Sequence, residues 1–134
     1  MQFILVGDGV LNALGTHLLL ELRECDELRL NDLEYIRDSM ISTAVDVGAT
    51  IVGQTFHKFN PQGVTGVVAI AESHLCIHTW PEFGYAAVDV FTCGSSVDPH
   101  QAADLIIQRL CSKNPSVTEL KRGPALQFVE PSRV

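Results

Sequence analysis

The sequence predicts one α/β domain of the two-layer α+β kind, an antiparallel sheet with two main helices on one face. Three observations carry that expectation. The chain has 134 residues, the length of a single domain. It is 46% hydrophobic, which excludes disorder. Two segments of helical period bracket a block of β-rich runs separated by turn residues.

Residues 1 to 14 read as an extra apolar strand or arm, and Thr16 to Leu22 as an extended apolar strand. Asn31 and Asp32 are helix starters. Beyond them Leu33, Ile36, Met40, Ala44 and Val47 recur at three- and four-residue steps up to Gly48, an amphipathic helix of about four turns. Strand-like runs follow at Thr50 to Phe59, Val64 to Ala71, Ser73 to Trp80 and Tyr85 to Cys93. Turns are expected at Asn60-Pro61-Gln62-Gly63 and Pro81-Glu82-Phe83-Gly84. Asp98 before Pro99 is an N-cap with proline at the first helical position, and Ala103, Ile106, Ile107 and Leu110 give the second helix its buried stripe. A last strand at Ser116 to Lys121 and an irregular tail complete a single domain spanning 1–134. Helices gathered on one face leave the other uncovered, so dimerisation into a larger sandwich is expected.

Nine basic against sixteen acidic residues give a formal charge of −7, which repels phosphate backbones and argues against nucleic acid as a partner. No apolar run reaches the ~20 residues of a membrane helix, and the opening Met1-Gln2-Phe3-Ile4-Leu5-Val6-Gly7-Asp8 lacks a basic start, so no membrane association and a cytoplasmic location are expected. Cys25, Cys76, Cys93 and Cys111 form no C-x-x-C pair and should be free thiols there.

The chemistry-bearing residues concentrate in Ala71-Glu72-Ser73-His74-Leu75-Cys76-Ile77-His78-Thr79-Trp80-Pro81-Glu82 and Phe91-Thr92-Cys93-Gly94. Strand alternation puts His74, Cys76, His78 and Trp80 on one face and Ser73, Leu75, Ile77 and Thr79 on the other. One thiol and two imidazoles without a second ligand pair argue against a metal site, and no G-x-S-x-G elbow marks a hydrolase. On these residues alone, an ordinary hairpin with scattered polar side chains stays open.

From Glu72 to Glu82 and from Tyr85 to Gly94, the sequence resembles the processing and catalytic region of the prokaryotic S-adenosylmethionine decarboxylases, which carry a self-made pyruvoyl group. Gly48-Ala49-Thr50-Ile51-Val52, Thr55-Phe56-His57-Lys58-Phe59 and Asp98-Pro99 extend the match over roughly residues 15 to 100. The resemblance implies autocatalytic cleavage between Glu72 and Ser73 into a β chain, 1–72, and an α chain, 73–134, with Ser73 converted to the pyruvoyl cofactor. It implies that His78 is the processing base, that Thr65 stands where the family usually has an assisting serine, and that Cys93 is the proton donor in catalysis. It further implies S-adenosylmethionine as substrate, held through a Schiff base, with its adenine between Phe59 and Trp80 and with Glu82 in contact. The product would be the aminopropyl donor of spermidine synthesis. Arginine or ornithine as substrate, and an uncut ligand-binding or regulatory relative, are the alternatives. His57 and His74 receive no role beyond lining, His100 is expected at the surface, and Asp89 as a buried structural carboxylate.

Spacing adds an independent expectation. A tight turn near Glu72 sets Thr65 opposite His78, and a turn centred on Phe83 sets Ser73 opposite Cys93. Ser73 and His78 are then about 16 Å apart along one strand. A two-fold dimer brings Ser73 and Cys93 of one protomer to Thr65 and His78 of the other, giving two shared sites.

Overall fold

The computed structural model describes residues 13–123 together with β1 (Leu5–Val6) and β2 (Gly9–Val10). The elements that follow are β3 (Gly15–Arg23), α1 (Glu27–Leu30), α2 (Leu33–Asp46), β4 (Ile51–Lys58), β5 (Val64–Ile70), β6 (Ser73–Trp80), β7 (Tyr85–Cys93), α3 (Pro99–Arg109) and β8 (Asn114–Arg122), with a 3-10 turn at Pro81–Phe83. Strands β3 to β8 form a six-stranded sheet in the order β4-β5-β6-β7-β3-β8, and every neighbouring pair is antiparallel. Strands β1 and β2 pair only with each other, so that part of the expected N-terminal arm is a separate small hairpin. The remainder of that arm and the irregular tail lie outside the described residues.

Both expected helices form where their caps stand. Asp32 accepts from the Tyr35 N–H and Asp98 from the His100 N–H, each satisfying an N–H that the first helical turn leaves unbonded. The sequence reading lacked α1, a single turn capped by Asp26, which accepts from the Leu28 and Arg29 N–H groups. Four residues are too few to display a period.

Alternation along the strands sorts the sheet into two faces. Leu18, Leu20 and Leu22 of β3, Val64 and Val68 of β5, Leu75 and Ile77 of β6, and Val88 and Val90 of β7 are buried on one face. They pack in one core with Ile36, Met40 and Ala44 of α2 and Ala102, Ala103 and Ile106 of α3. Each fully buried large aliphatic side chain contributes about 1.5–3 kcal/mol, which makes this layer the main source of stability. Gly66 of β5 makes room for its β4 neighbour: a Cβ there would stand 2.1 Å from the ring of Phe56, its register partner. Among the described residues no helix covers the opposite face. Its half-buried residues include Val67, Ala69, His74, Cys76, His78, Ala87 and Asp89.

A buried hydroxyl ties α1 to the sheet. Thr79 Oγ1 accepts from the Val64 N–H and donates to the Leu30 carbonyl, both at 2.8 Å. Thr79→Val keeps the shape but strands two buried polar backbone groups, a loss of about 1–3 kcal/mol for each group left unpaired. Urea unfolding is expected to show a lower midpoint with an unchanged slope; an unchanged midpoint would contradict it.

Candidate active site

Two residues, Ala71 and Glu72, connect β5 to β6, and Ser73 follows at once. The turn is tied to the start of β4, since the Ala71 N–H donates to the Thr50 carbonyl and the Thr50 N–H to Glu72 Oε1. Ser73 has φ +147°, a region that residues with a Cβ avoid at a cost of order 1–3 kcal/mol. The carbonyl just before it is doubly engaged, accepting from the Cys93 N–H at 2.8 Å and from Cys93 Sγ at 3.1 Å. Both donors withdraw electron density from the Glu72 carbonyl carbon. Ser73, Phe91 and Cys93 line a pocket of about 380 Å³ with Leu14, Gly15, Arg122 and Gly123.

The register confirms one hairpin expectation and shifts the other. Thr65 lies opposite His78, with Thr65 Oγ1 and His78 Nδ1 3.0 Å apart. Ser73 pairs with Thr92 rather than Cys93. The β6–β7 turn holds four residues, Pro81 to Gly84, so its centre falls between Glu82 and Phe83 and the partner moves back by one. Cys93 still reaches this end, through Glu72.

Thr65 and His78 line a second pocket, of about 310 Å³, with Phe59, Gln62, Thr79, Trp80 and Glu82. Phe59 and Trp80 are exposed rather than core, at 46% and 40%. Trp80 rests against Tyr85 at 5.4 Å between ring centroids. The Tyr85 hydroxyl is pushed up to about 12 by burial and by its hydrogen bond to Glu21, so it stays a donor. Gly63, beside the lining residue Gln62, has φ +106°; its N–H donates to Asn31 Oδ1, and a Cβ would press to 3.0 Å from the Thr79 carbonyl.

The structure therefore places seven of the eight expected site residues in two groups, one at each end of β6, with the Glu72 carbonyl held by Cys93. Ser73 and Cys93 form one; Thr65, His78, Phe59, Trp80 and Glu82 form the other. Between them, on the uncovered face, Asp89 is not a buried structural carboxylate within this chain. It is half-exposed and accepts from His17 at 3.3 Å. Burial pushes the Cys76 thiol up, with the Asp89 carboxylate adding. His100 is at the surface, 2.8 Å from Glu119. Sequence reasoning missed Arg122 and Gly15, which reach the Ser73 pocket only because β8 and β7 both pair with β3. No local pattern announces that strand order.

Known proteins resemble this chain over nearly all of its described length. The family described as S-adenosylmethionine decarboxylase matches residues 16–123. A protein of Clostridium tetani named S-adenosylmethionine decarboxylase proenzyme is 57% identical over 113 residues, covering 84% of this chain and 90% of the relative. One of the same name from Acetivibrio thermocellus is 51% identical over 124 residues, 92% of this chain and 98% of the relative. The crystal structure of the adenosylmethionine decarboxylase from Aquifex aeolicus superposes with a TM-score of 0.80 at 38% identity, covering 84% of this chain and 92% of that one.

On the uncovered face, burial holds the His74 imidazole below its ordinary value of 6.5, and neighbouring His17 and Arg122 push the same way against Asp89. A depressed imidazole contributes stability that is present above the unfolded value and is lost as pH falls through the folded one. Denaturant midpoints measured from pH 7.5 down to 5.5 should fall less for His74→Gln than for the unsubstituted protein. Parallel curves would contradict this.

Proposed function

The chain belongs to the S-adenosylmethionine decarboxylase family, and we propose that it is a proenzyme that cuts its own Glu72–Ser73 bond to make the pyruvoyl group with which it works. It is a decarboxylase, a carbon–carbon lyase. One observation carries the self-cutting reading: the Glu72 carbonyl accepts from both donors of Cys93 while Ser73 sits in a strained conformation beside it.

Ser73 Oγ adds to the Glu72 carbonyl carbon, the Ser73 nitrogen leaves, and an ester replaces the amide. A base then takes the Ser73 α-proton, and Glu72 departs as a free carboxylate. The dehydroalanine left on the α chain takes up water and releases ammonia, ending in a pyruvoyl cap. Strain at Ser73 is released when the peptide bond goes, and the Cys93 donors stabilise the oxyanion of the first step. The residues around Ser73 fit such a group, with a thiol beside it and a pocket in front of it.

His78 is the base of this reading, oriented by Thr65. Along one chain it stands five residues from Ser73, about 16 Å, and it lines a different pocket. The sites are therefore formed between two copies whose uncovered sheet faces meet, each Ser73 pocket closed by the partner's opposite end. The pyruvoyl group supplies an electron sink for the carbanion left when carbon dioxide departs from a bound amino acid. Cys93 holds at Sγ the proton that quenches that charge, and Phe59 and Trp80 stack the adenine, at about 1–3 kcal/mol per aromatic contact. Glu82 attracts the sulfonium. Arginine or ornithine as substrate and an uncut regulatory chain are not favoured by relatives named as S-adenosylmethionine decarboxylase proenzymes. Among the described residues no helix is long and apolar enough to cross a membrane.

Intact-mass measurement should find fragments of 72 and 62 residues, the latter reactive with hydrazine, and a single uncut species in Ser73→Ala. Mixing unfolded Ser73→Ala and His78→Ala chains and refolding them together should restore cutting in the His78→Ala chain; no cutting in any mixture would overturn the shared site. Thr65→Val is expected to slow cutting by at least about tenfold, and Thr65→Ser to leave it as fast or faster.

A further inference from the structure

We propose that Arg122 binds the α-carboxylate of the substrate, and that His17, backed by Asp89, is the positioning residue that aims its guanidinium into the Ser73 pocket. This rests on the reading of Ser73 and Cys93 as the reacting end. Arg122 lies on β8 opposite Gly15 of β3 and lines the same pocket as Ser73 and Cys93. Its Nη1 is 3.2 Å from His17 Nδ1, and His17 Nε2 is 3.3 Å from Asp89 Oδ1. A guanidinium only donates and an ionised carboxylate only accepts, so both contacts are met by the tautomer with its proton on Nε2 and its lone pair on Nδ1. One tautomer satisfies both partners, and the relay fixes one edge of the guanidinium.

The ring of Phe91 fixes its face. Arg122 Cζ lies 5.0 Å from that centroid, and the Phe91 ring in turn covers Gly15, where a Cβ would come within 2.6 Å of it. Among the described residues no carboxylate stands within salt-bridge distance of Arg122. A guanidinium oriented on one edge, stacked on one face and without an anionic partner is prepared for a bidentate anion. The other pocket is its electrostatic opposite, with Glu82 beside two exposed aromatics. A ligand with a cation and an aromatic ring at one end and a carboxylate at the other has a single favourable orientation across such a pair of pockets. In a chain of net charge −7, a cation is what the carboxylate end needs.

The carboxylate is the group that leaves, so Arg122 serves binding more than the bond-breaking step. For Arg122→Met we expect complete cutting at Glu72–Ser73, a KM raised about 10- to 100-fold and a kcat within a few-fold of the unsubstituted enzyme. The decarboxylated product, which lacks the carboxylate, should inhibit both enzymes within about twofold of each other. Arg122→Lys should recover part of the loss. His17→Phe should raise KM in the same sense, and His17→Gln, which keeps an acceptor and a donor, should restore most of it. An unchanged KM in a cut, active Arg122→Met enzyme, or equal weakening of substrate and product, would overturn the role of Arg122 alone. If Arg122→Met does not fold, the Lys variant is read by the same two criteria. An unsubstituted chain that stays uncut would instead overturn the reading of Ser73.

Discussion

The rise of an extended strand governs this molecule. Eight residues of β6 carry Ser73 at one end and Trp80 at the other, and from His74 onward alternation decides which side each residue faces, whereas Ser73, at φ +147°, lines the pocket of Phe91, Cys93 and Arg122. Nothing in a regular strand can fold five residues back on themselves. The groups that the family resemblance assigns to one reaction are thus held apart within one chain, and the uncovered sheet face is where a second chain can reunite them. The helices on the other face serve this by holding the sheet from behind. Leu75 and Ile77 are locked into the core while His74, Cys76 and His78 project away from it.

Much of this was legible in the sequence, and the reasons differ by element. The helices at Leu33–Asp46 and Pro99–Arg109 announce themselves through capping aspartates and a period long enough to count. The pairing of Thr65 with His78 follows from a two-residue turn, which leaves no freedom of register. The pairing of Ser73 required knowing whether Pro81 to Gly84 turns about a residue or about a bond, and nothing in that tetrapeptide says which. Strand order was not legible at all. The insertion of β3 between β7 and β8 brings Arg122 and Gly15 to the Ser73 pocket across 49 and 58 residues of sequence, and it is set by which strand edges remain after the hairpins close.

Charge is distributed along the same axis. The pocket at the Thr65 end has Glu82 and aromatic surface; the pocket at the Ser73 end has a guanidinium held by an imidazole. Between them the uncovered face keeps its titratable groups neutral or paired. Cys76 is held toward the thiol, His74 toward the neutral ring, and Asp89 is paired with His17. A surface so composed can be covered by another without stranding a bare charge, which is the condition that a buried interface imposes.

The strand order has one more effect. Divide the chain after Glu72, and β3, β4 and β5 fall to one piece while β6, β7 and β8 fall to the other. Across the sheet the pieces then alternate: two strands of the first, two of the second, one of the first, one of the second. A severed backbone would leave them laced together along three seams, β5 against β6, β7 against β3 and β3 against β8. Pulling the halves apart means unzipping the middle of the sheet as well as its flank, so a break in the covalent chain costs the architecture almost nothing.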